Sequence, residues 1–227
     1  MDYKIVVDSC GELTREMKES GVFVTASLSM QVNGVNIVDD QTFDQADFLK
    51  RVAESPECPK SSCPSPEEYM SLYECDARRV YAVTLSSELS GSYNSAELGS
   101  RCSGKKIRKR RFMIFNSRSA SVGETLIALK IRECEEKKMS FEEVVRCVES
   151  YIEEQHTYFV LENLDVLRKN GRLTGNKVIC GERIEYQAGS RIHSSGDDLS
   201  AGAGERNEKG ACQNGGEDCP GSAGRGK

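Results

Sequence analysis

Two serine-rich segments carry the side chains in this sequence that are best suited to binding an anion. The first reads Lys60-Ser61-Ser62-Cys63-Pro64-Ser65, and the second reads Ser86-Ser87-Glu88-Leu89-Ser90-Gly91-Ser92. Each segment precedes a stretch with helical spacing, and a helix N-terminus presents unpaired backbone N–H groups with a partial positive charge. Because hydroxyls beside such N–H groups donate to a carboxylate or a phosphate, the two segments predict an anion-binding site.

Local signals place both segments at helix starts. The second segment follows Arg79-Val80-Tyr81-Ala82-Val83-Thr84, whose β-branched and aromatic residues indicate a buried strand. Ser90 is the predicted N-cap of the next helix, while Pro64 and Pro66 mark the helix after the first segment. Serines at such positions also serve simply as caps, so the functional interpretation rests on the presence of two similar segments.

Strand-like and helix-like segments alternate along the chain as far as about residue 180. The predicted strands run from Tyr3 to Asp8, Val22 to Met30, Arg79 to Thr84, Ile107 to Phe115 and His156 to Val160. Asn33-Gly34 predicts a hairpin turn, and Ser140 with Glu143 predicts a capping box. This alternation predicts an α/β fold, a mainly parallel sheet with helices on both faces and ligands at the carboxyl ends of the strands.

Composition predicts a cytoplasmic protein with no membrane span, because no segment is apolar enough to cross a bilayer and no signal peptide precedes the first strand. The ten cysteines form no Cys-x-x-Cys pair and only His156 and His193 could join them, so we expect no metal and mostly buried thiols. The net charge of −5 argues against nucleic acid as a partner, despite the basic run from Lys105 to Arg111.

The composition changes after Cys180. Residues 181–227 hold 11 of the 20 glycines, contain no Phe or Val and show no apolar period. Such a segment cannot bury enough surface to offset the entropy of ordering it, so a disordered tail is expected. The predicted organisation is therefore an α/β lobe over 1–155, the beginning of a second α/β lobe over 156–180 and a glycine-rich tail over 181–227.

The two serine segments resemble the hallmark of the DegV family, Thr-Ser-Gln-Pro-Ser followed by Ser-Ser-x-Leu-Ser-Gly-Thr. Serine stands in place of threonine at Ser61 and Ser92, and Cys63 stands in place of glutamine. Three more segments match in the family's order, and Asn116 departs from it where the family tends to have an acid. The three are Asp8 to Leu13, Ser117 to Gly123 and Phe159 to Leu173. The resemblance covers about residues 3–180, so the C-terminal lobe is expected to be truncated or out of frame.

This resemblance implies a carrier that holds a long-chain fatty acid while a separate kinase subunit phosphorylates it. It places the head group against Ser61, Ser62, Ser90, Gly91 and Ser92. Arg172 would contact the phosphate or the kinase, or would only be a cation at a helix C-terminus. Neither a catalytic residue nor a cofactor is implied, and the missing lobe would supply the other wall of the acyl tunnel.

Two alternatives remain open. The chain could be a small phosphotransfer or hydrolytic enzyme that uses Asp8, the serine segments and a metal, although Asp8 could equally cap the turn that follows the first strand. No Gly-x-Ser-x-Gly elbow is present, and His156 falls in a predicted strand, so no nucleophile with its base is evident. The chain could also be a truncated remnant that binds no ligand.

Overall fold

The computed structural model of the protein describes residues 1–103, 110–160, 183–186 and 193–194. The strands are β1 (Tyr3–Asp8), β2 (Phe23–Ala26), β3 (Ser29–Val32), β4 (Val35–Val38), β5 (Lys60–Ser62), β6 (Arg79–Thr84), β7 (Arg111–Asn116), β8 (Thr157–Val160), β9 (Arg183–Tyr186) and β10 (His193–Ser194). The helices are α1 (Arg15–Glu19), α2 (Gln45–Glu54), α3 (Pro66–Tyr73), α4 (Ser92–Cys102), α5 (Val122–Glu136) and α6 (Phe141–Glu154).

The central sheet is parallel, with the strand order β2-β1-β6-β7. In its middle, Val7 pairs with Thr25 on one side and with Val83 on the other. Two further sheets, each of three antiparallel strands, share no strand pairing with the central sheet. Their strand orders are β4-β3-β5 and β10-β9-β8. The predicted α/β class with a mainly parallel sheet is confirmed.

Alternate residues of the central strands point into two separate cores. On β1, Ile5 and Val7 join the first core, and Val6 joins the second. The first core is completed by α1, α5 and α6, and the second by Tyr69 and Tyr73 of α3 together with α4. Helices therefore cover both faces, which explains why the central strands are apolar throughout rather than alternating.

The chain changes direction across the sheet between β1 and β6. The connection from β1 to β2 carries α1 on the face of the first core, whereas the connection from β6 to β7 carries α4 on the face of the second. Right-handed crossovers that proceed in opposite directions must place their helices on opposite faces. The carboxyl ends of β1 and β6 consequently leave a crevice between their diverging loops, the usual ligand position in this type of sheet.

The segment from Val22 to Met30 forms two strands rather than the single one expected. Between β2 and β3, the backbone N–H of Ser27 donates to Glu68 Oε1 at 2.5 Å and that of Leu28 donates to Ser9 Oγ at 3.0 Å. These side-chain acceptors replace sheet partners, so the chain leaves the central sheet and enters the antiparallel one. The predicted turn is confirmed, with Asn33 and Gly34 at φ of 50° and 77°.

Two short strands fall inside the segment that was expected to be disordered. β9 pairs antiparallel with β8, and β10 pairs with β9, so backbone partners are available there despite the glycine-rich composition. The rest of 181–227 lies outside the described residues, as do Arg172 and the expected helix from Thr174 to Cys180. The domain boundaries therefore stay predictions.

Helices α3 and α4 pack closely at Gly99, and each follows one of the serine segments. A Cβ atom at Gly99 would lie 2.6 Å from the carbonyl oxygen of Pro66 and 3.2 Å from the backbone nitrogen of Met70. Both atoms belong to the backbone of the first turns of α3, where Ser65 Oγ caps the helix by accepting from the Glu68 N–H. Gly99 thereby sets the separation of the two helices that carry the serine segments.

We expect Gly99→Ala to destabilise the fold by roughly 1–3 kcal/mol, the usual cost of overpacking against atoms that cannot yield. Alanine in an exposed helix would instead stabilise by up to about 1 kcal/mol. Urea denaturation measures the free energy of unfolding, with Ser100→Ala on the same helix as the control. Unchanged or raised stability of Gly99→Ala would show that the α3–α4 contact is looser than described.

Candidate functional site

A cavity of about 1050 Å³ opens at the carboxyl edge of the central sheet. Every strand of that sheet contributes a wall from the loop that follows it. The lining residues from these loops are Cys10 after β1, Leu28 after β2, Leu85 and Ser87–Gly91 after β6, and Ala120–Gly123 after β7. The cavity occupies the crevice that the strand order predicts.

The first serine segment reaches the cavity from a strand, not from a helix start. Ser61 and Ser62 belong to β5, where they pair with Met30 and Ser29 of β3. Both line the cavity together with Cys63. The helix itself begins later, with Ser65 as its N-cap, so the expectation that Ser61 and Ser62 lie at a helix N-terminus differs from the structure.

The second serine segment turns tightly before α4. The N–H groups of Leu89 and Ser90 both donate to the carbonyl oxygen of Ser86, at 2.9 and 3.0 Å. The prediction that Ser90 is the N-cap is wrong, since Gly91 holds that position. Ser90 Oγ instead accepts from the Ser92 N–H at 3.2 Å, which closes the turn one residue earlier.

The two segments touch each other at the cavity wall. Cys63 Sγ lies 3.5 Å from Ser95 Oγ, and a Cβ atom at Gly91 would lie only 3.1 Å from the same sulfur. The absence of a side chain at Gly91 thus permits the close approach. The structure brings Ser61, Ser62, Ser90 and Gly91 together in the lining of one cavity.

Ser92 differs from the expectation for a head-group ligand. Its side chain is fully buried, its hydroxyl lies 3.1 Å from Ser90 Oγ and its N–H is used by the same oxygen. It is absent from the described lining of the cavity. Ser92 therefore orients Ser90 from the buried side, away from the cavity.

Asp8 joins the ends of β1 and β6 beneath the cavity. Its Oδ2 accepts from the Leu85 N–H at 2.7 Å, and its Oδ1 accepts from the Cys10 N–H at 3.2 Å. Burial raises the pKa of Asp8 above its usual value, and these two hydrogen bonds oppose the rise. Asp8 is completely buried and serves as the cap that the simpler interpretation expected.

The loop after β7 forms a third wall that sequence reasoning did not assign to the site. Asn116 fastens it to the second serine segment, with Oδ1 accepting from the Ser87 N–H at 3.1 Å and Nδ2 donating to Ser87 Oγ at 2.8 Å. Ser121 has φ of 55° and donates from Oγ to Glu12 Oε1 at 2.5 Å. Since carboxyl ends of parallel strands share one edge, the matching segment from Ser117 to Gly123 could have been placed here from sequence.

Most of the remaining wall is apolar. The apolar lining residues are Leu28, Leu85, Leu89, Ala120, Val122, Leu126 and Tyr158. His156 lies on the same wall, just before β8, with its ring centroid 6.5 Å from that of Tyr158. Hydroxyl groups beside a largely apolar surface suit an amphiphile better than a small, uniformly polar ligand.

The described cysteines are less buried than expected. Of the seven, only Cys134 is buried. Cys10 and Cys63 are half-buried because they line the cavity. Cys10 also forms, with Asp8 and Glu124, the group of potential metal ligands found among the described residues, their ligand atoms lying within 4.8 Å of one another. Both oxygens of Asp8 already accept backbone N–H groups, which weakens its case as a ligand.

No helix in the described part of the chain combines the length and the hydrophobicity that a membrane-crossing segment needs.

Comparisons with known proteins extend over most of the chain. A family model described as "Uncharacterised protein, DegV family" matches residues 2–183. A DegV domain-containing protein of Streptococcus pneumoniae is 33% identical over 177 residues, which are 77% of this chain and 62% of that protein. The chain therefore spans less than two thirds of that relative's length.

Solved structures agree with the family match. A crystal structure of a DegV family protein from Ruminococcus gnavus, described with vaccenic acid, has a TM-score of 0.81 and 55% identity over 85% of this chain and 70% of that one. The Streptococcus pneumoniae Fatty Acid Kinase (Fak) B3 protein loaded with linoleic acid has a TM-score of 0.73 and 29% identity, with 92% and 79% of the two chains covered. With its parallel sheet, its paired serine segments and a family match across 2–183, this chain belongs to the DegV family.

Proposed function

We propose that the cavity binds a long-chain fatty acid and holds its carboxylate for a separate kinase. The observation that carries this proposal is that hydroxyls from two distant segments, Ser61–Ser62 and Ser90, meet in one largely apolar cavity. The relatives described with vaccenic and linoleic acid support it. The volume of about 1050 Å³ lies just above the usual range for small-molecule sites, about 300–1,000 Å³.

In this proposal the carboxylate accepts hydrogen bonds from Ser61, Ser62 and Ser90 and lies beside the backbone of Gly91 at the start of α4. The positive end of that helix favours an anion by about 0.3–2 kcal/mol. Ser92 contributes indirectly, because it orients the hydroxyl of Ser90. Arg172, as a contact for the phosphate or the kinase, remains part of the proposal and lies outside the described residues.

The acyl chain decides affinity in this arrangement. Burying it gains about 0.8 kcal/mol per methylene, on the order of 10 kcal/mol for a long chain, which is several times the contribution of the helix dipole. The apolar wall contains Val122, Leu126 and Tyr158, which are 54%, 42% and 54% exposed. A ligand that covers these side chains removes apolar surface from water.

A carrier role is favoured over an enzyme because the acid that an enzyme would use is not accessible. Asp8 is completely buried and both of its oxygens accept backbone N–H groups. The kinase is proposed as a separate protein by similarity to the Fak B3 relative. On this proposal the protein acts in the cytoplasm and needs no cofactor.

We expect Ser90→Ala to weaken fatty-acid binding by about 10- to 150-fold, since a hydrogen bond to a charged group contributes roughly 1.5–3 kcal/mol. Titration with a fluorescent fatty acid measures affinity. Thermal denaturation is measured in parallel because the substitution also removes the acceptor of the Ser92 N–H.

Ser140→Ala is the matched control. Ser140 caps α6 by accepting from the Glu143 N–H and is not among the residues that line the cavity, so its loss should lower stability by about 0.5–2 kcal/mol without changing affinity. Equal affinity of wild type and folded Ser90→Ala would remove Ser90 from the head-group site. A wild-type chain that binds no fatty acid would support the non-binding remnant instead.

With ATP and Mg²⁺ but no second protein, we expect the bound fatty acid to stay unmodified. The proposal assigns nucleotide chemistry to the partner. Mass spectrometry of the extracted lipid, after hydroxylamine trapping of any acyl phosphate, provides the measurement. A time-dependent hydroxamate from the purified chain alone would contradict the carrier role, and heat-treated protein provides the background.

A further inference from the structure

Two carboxyl groups are buried together directly below the cavity. Asp8 at the end of β1 and Glu124 in the first turn of α5 are both completely inaccessible to solvent. One carboxylate oxygen of each residue and Cys10 Sγ lie within 4.8 Å of one another. Two negative charges at this separation in a medium of low dielectric constant would repel each other strongly.

Among the described residues, the groups with the largest effect on these two carboxyls include no cation. The groups that most affect the charge of Asp8 and Glu124 are each other, Cys10, Ser92 and the Leu85 N–H, all neutral or acidic. The Tyr69 phenol of α3 faces them from the second core, and burial raises its pKa, as it does that of the Cys10 thiol, so both stay neutral. The pair must therefore bind either a proton or an external cation.

The hydrogen bonds indicate which carboxyl carries the proton. Asp8 accepts two backbone N–H groups, which favours its ionised form. Both oxygens of Glu124, if it were ionised, would be buried without a donor. Burial and the neighbouring carboxyl of Asp8 raise the pKa of Glu124 well above its usual value.

We propose that Asp8 and Glu124 share one proton, carried by Glu124 and donated to Asp8, and that this hydrogen-bonded pair is the positioning device of the cavity. The pair connects the end of β1, Leu85 just before the second serine segment and the start of α5. Glu124 directly follows Gly123, which lines the cavity. A Cβ atom at Gly123 would lie 1.9 Å from Ser119 Oγ, so the start of α5 packs tightly against the loop after β7. Neither carboxyl lines the cavity, so both act through the loops that they hold.

Proton sharing fixes the sign of the pH dependence. A Glu carboxyl has a pKa of about 4.3 in the unfolded chain, whereas that of Glu124 is raised in the folded one. Between these two values the folded state binds one more proton than the unfolded state, so stability declines as the pH rises. One such proton changes the unfolding equilibrium constant by about tenfold per pH unit.

The experiment compares the urea denaturation of wild type, Glu124→Gln and Glu136→Gln from pH 5 to pH 8. Glu136 is a matched control because it lies at the exposed end of the same helix. We expect the wild-type unfolding constant to increase with pH by up to about tenfold per unit and Glu136→Gln to follow it. Glu124→Gln should show a flat profile across that range, because its amide donates to Asp8 at every pH.

Three results would overturn the proposal. One is a flat wild-type profile, which remains informative even where Glu124→Gln does not fold. Another is a Glu124→Gln profile with the wild-type slope. The third is stabilisation by Zn²⁺ and loss of stability in EDTA, with stability increasing with pH, because a metal displaces the proton from its ligands.

The affinity for fatty acid gives a second readout, which rests on the proposed function. We expect Glu124→Gln to bind a fluorescent fatty acid within about threefold of wild type, because the amide preserves the hydrogen bond. Glu124→Ala, which leaves Asp8 without that donor, should lose affinity while Glu136→Ala does not. If wild type binds no fatty acid, the pH profile still decides whether the proton is shared, so the two hypotheses fail separately.

Discussion

The hydrogen bond from the Leu85 N–H to Asp8 is the contact on which the architecture of the site depends. It joins β1 and β6 at the point where their following loops separate toward opposite faces of the sheet. Beyond that point no backbone hydrogen bond of the sheet joins the segments that follow β1 and β6. A buried acceptor with two N–H partners replaces the missing ladder and keeps the wall of the cavity in register with the sheet.

The remaining walls repeat this principle with different groups. Asn116 holds Ser87, Glu12 holds Ser121, and Ser92 holds Ser90. Each contact fixes a loop with a side chain rather than with secondary structure, so the lining hydroxyls are oriented before a ligand arrives. Preorganisation of this kind reduces the entropy lost on binding. Serines that resemble simple helix caps in the sequence therefore take part in longer hydrogen-bond networks.

Small side chains at the junction of the serine segments are a second requirement. Gly91 accommodates Cys63 Sγ, and Gly99 accommodates the backbone of α3. Cys63 stands where the family pattern has glutamine, and its thiol lies against Ser95 in the wall. A longer side chain would occupy space at the contact between the segments, so this departure from the pattern affects the shape of the cavity next to the hydroxyls.

The sequence by itself determined the parallel sheet, the two covering helix layers and the identity of the serine segments, because apolar runs, caps and turn residues are local signals. It also predicted a ligand site at the carboxyl edge of the sheet, which is where the structure has its cavity. Only the tertiary structure decided that Ser61 and Ser62 approach from an edge strand, that Ser92 faces inward, and that Asp8 and Glu124 meet. Those relations depend on contacts between residues far apart in the chain, 116 positions for the two carboxyls, and no periodicity or spacing encodes how closely two distant loops approach.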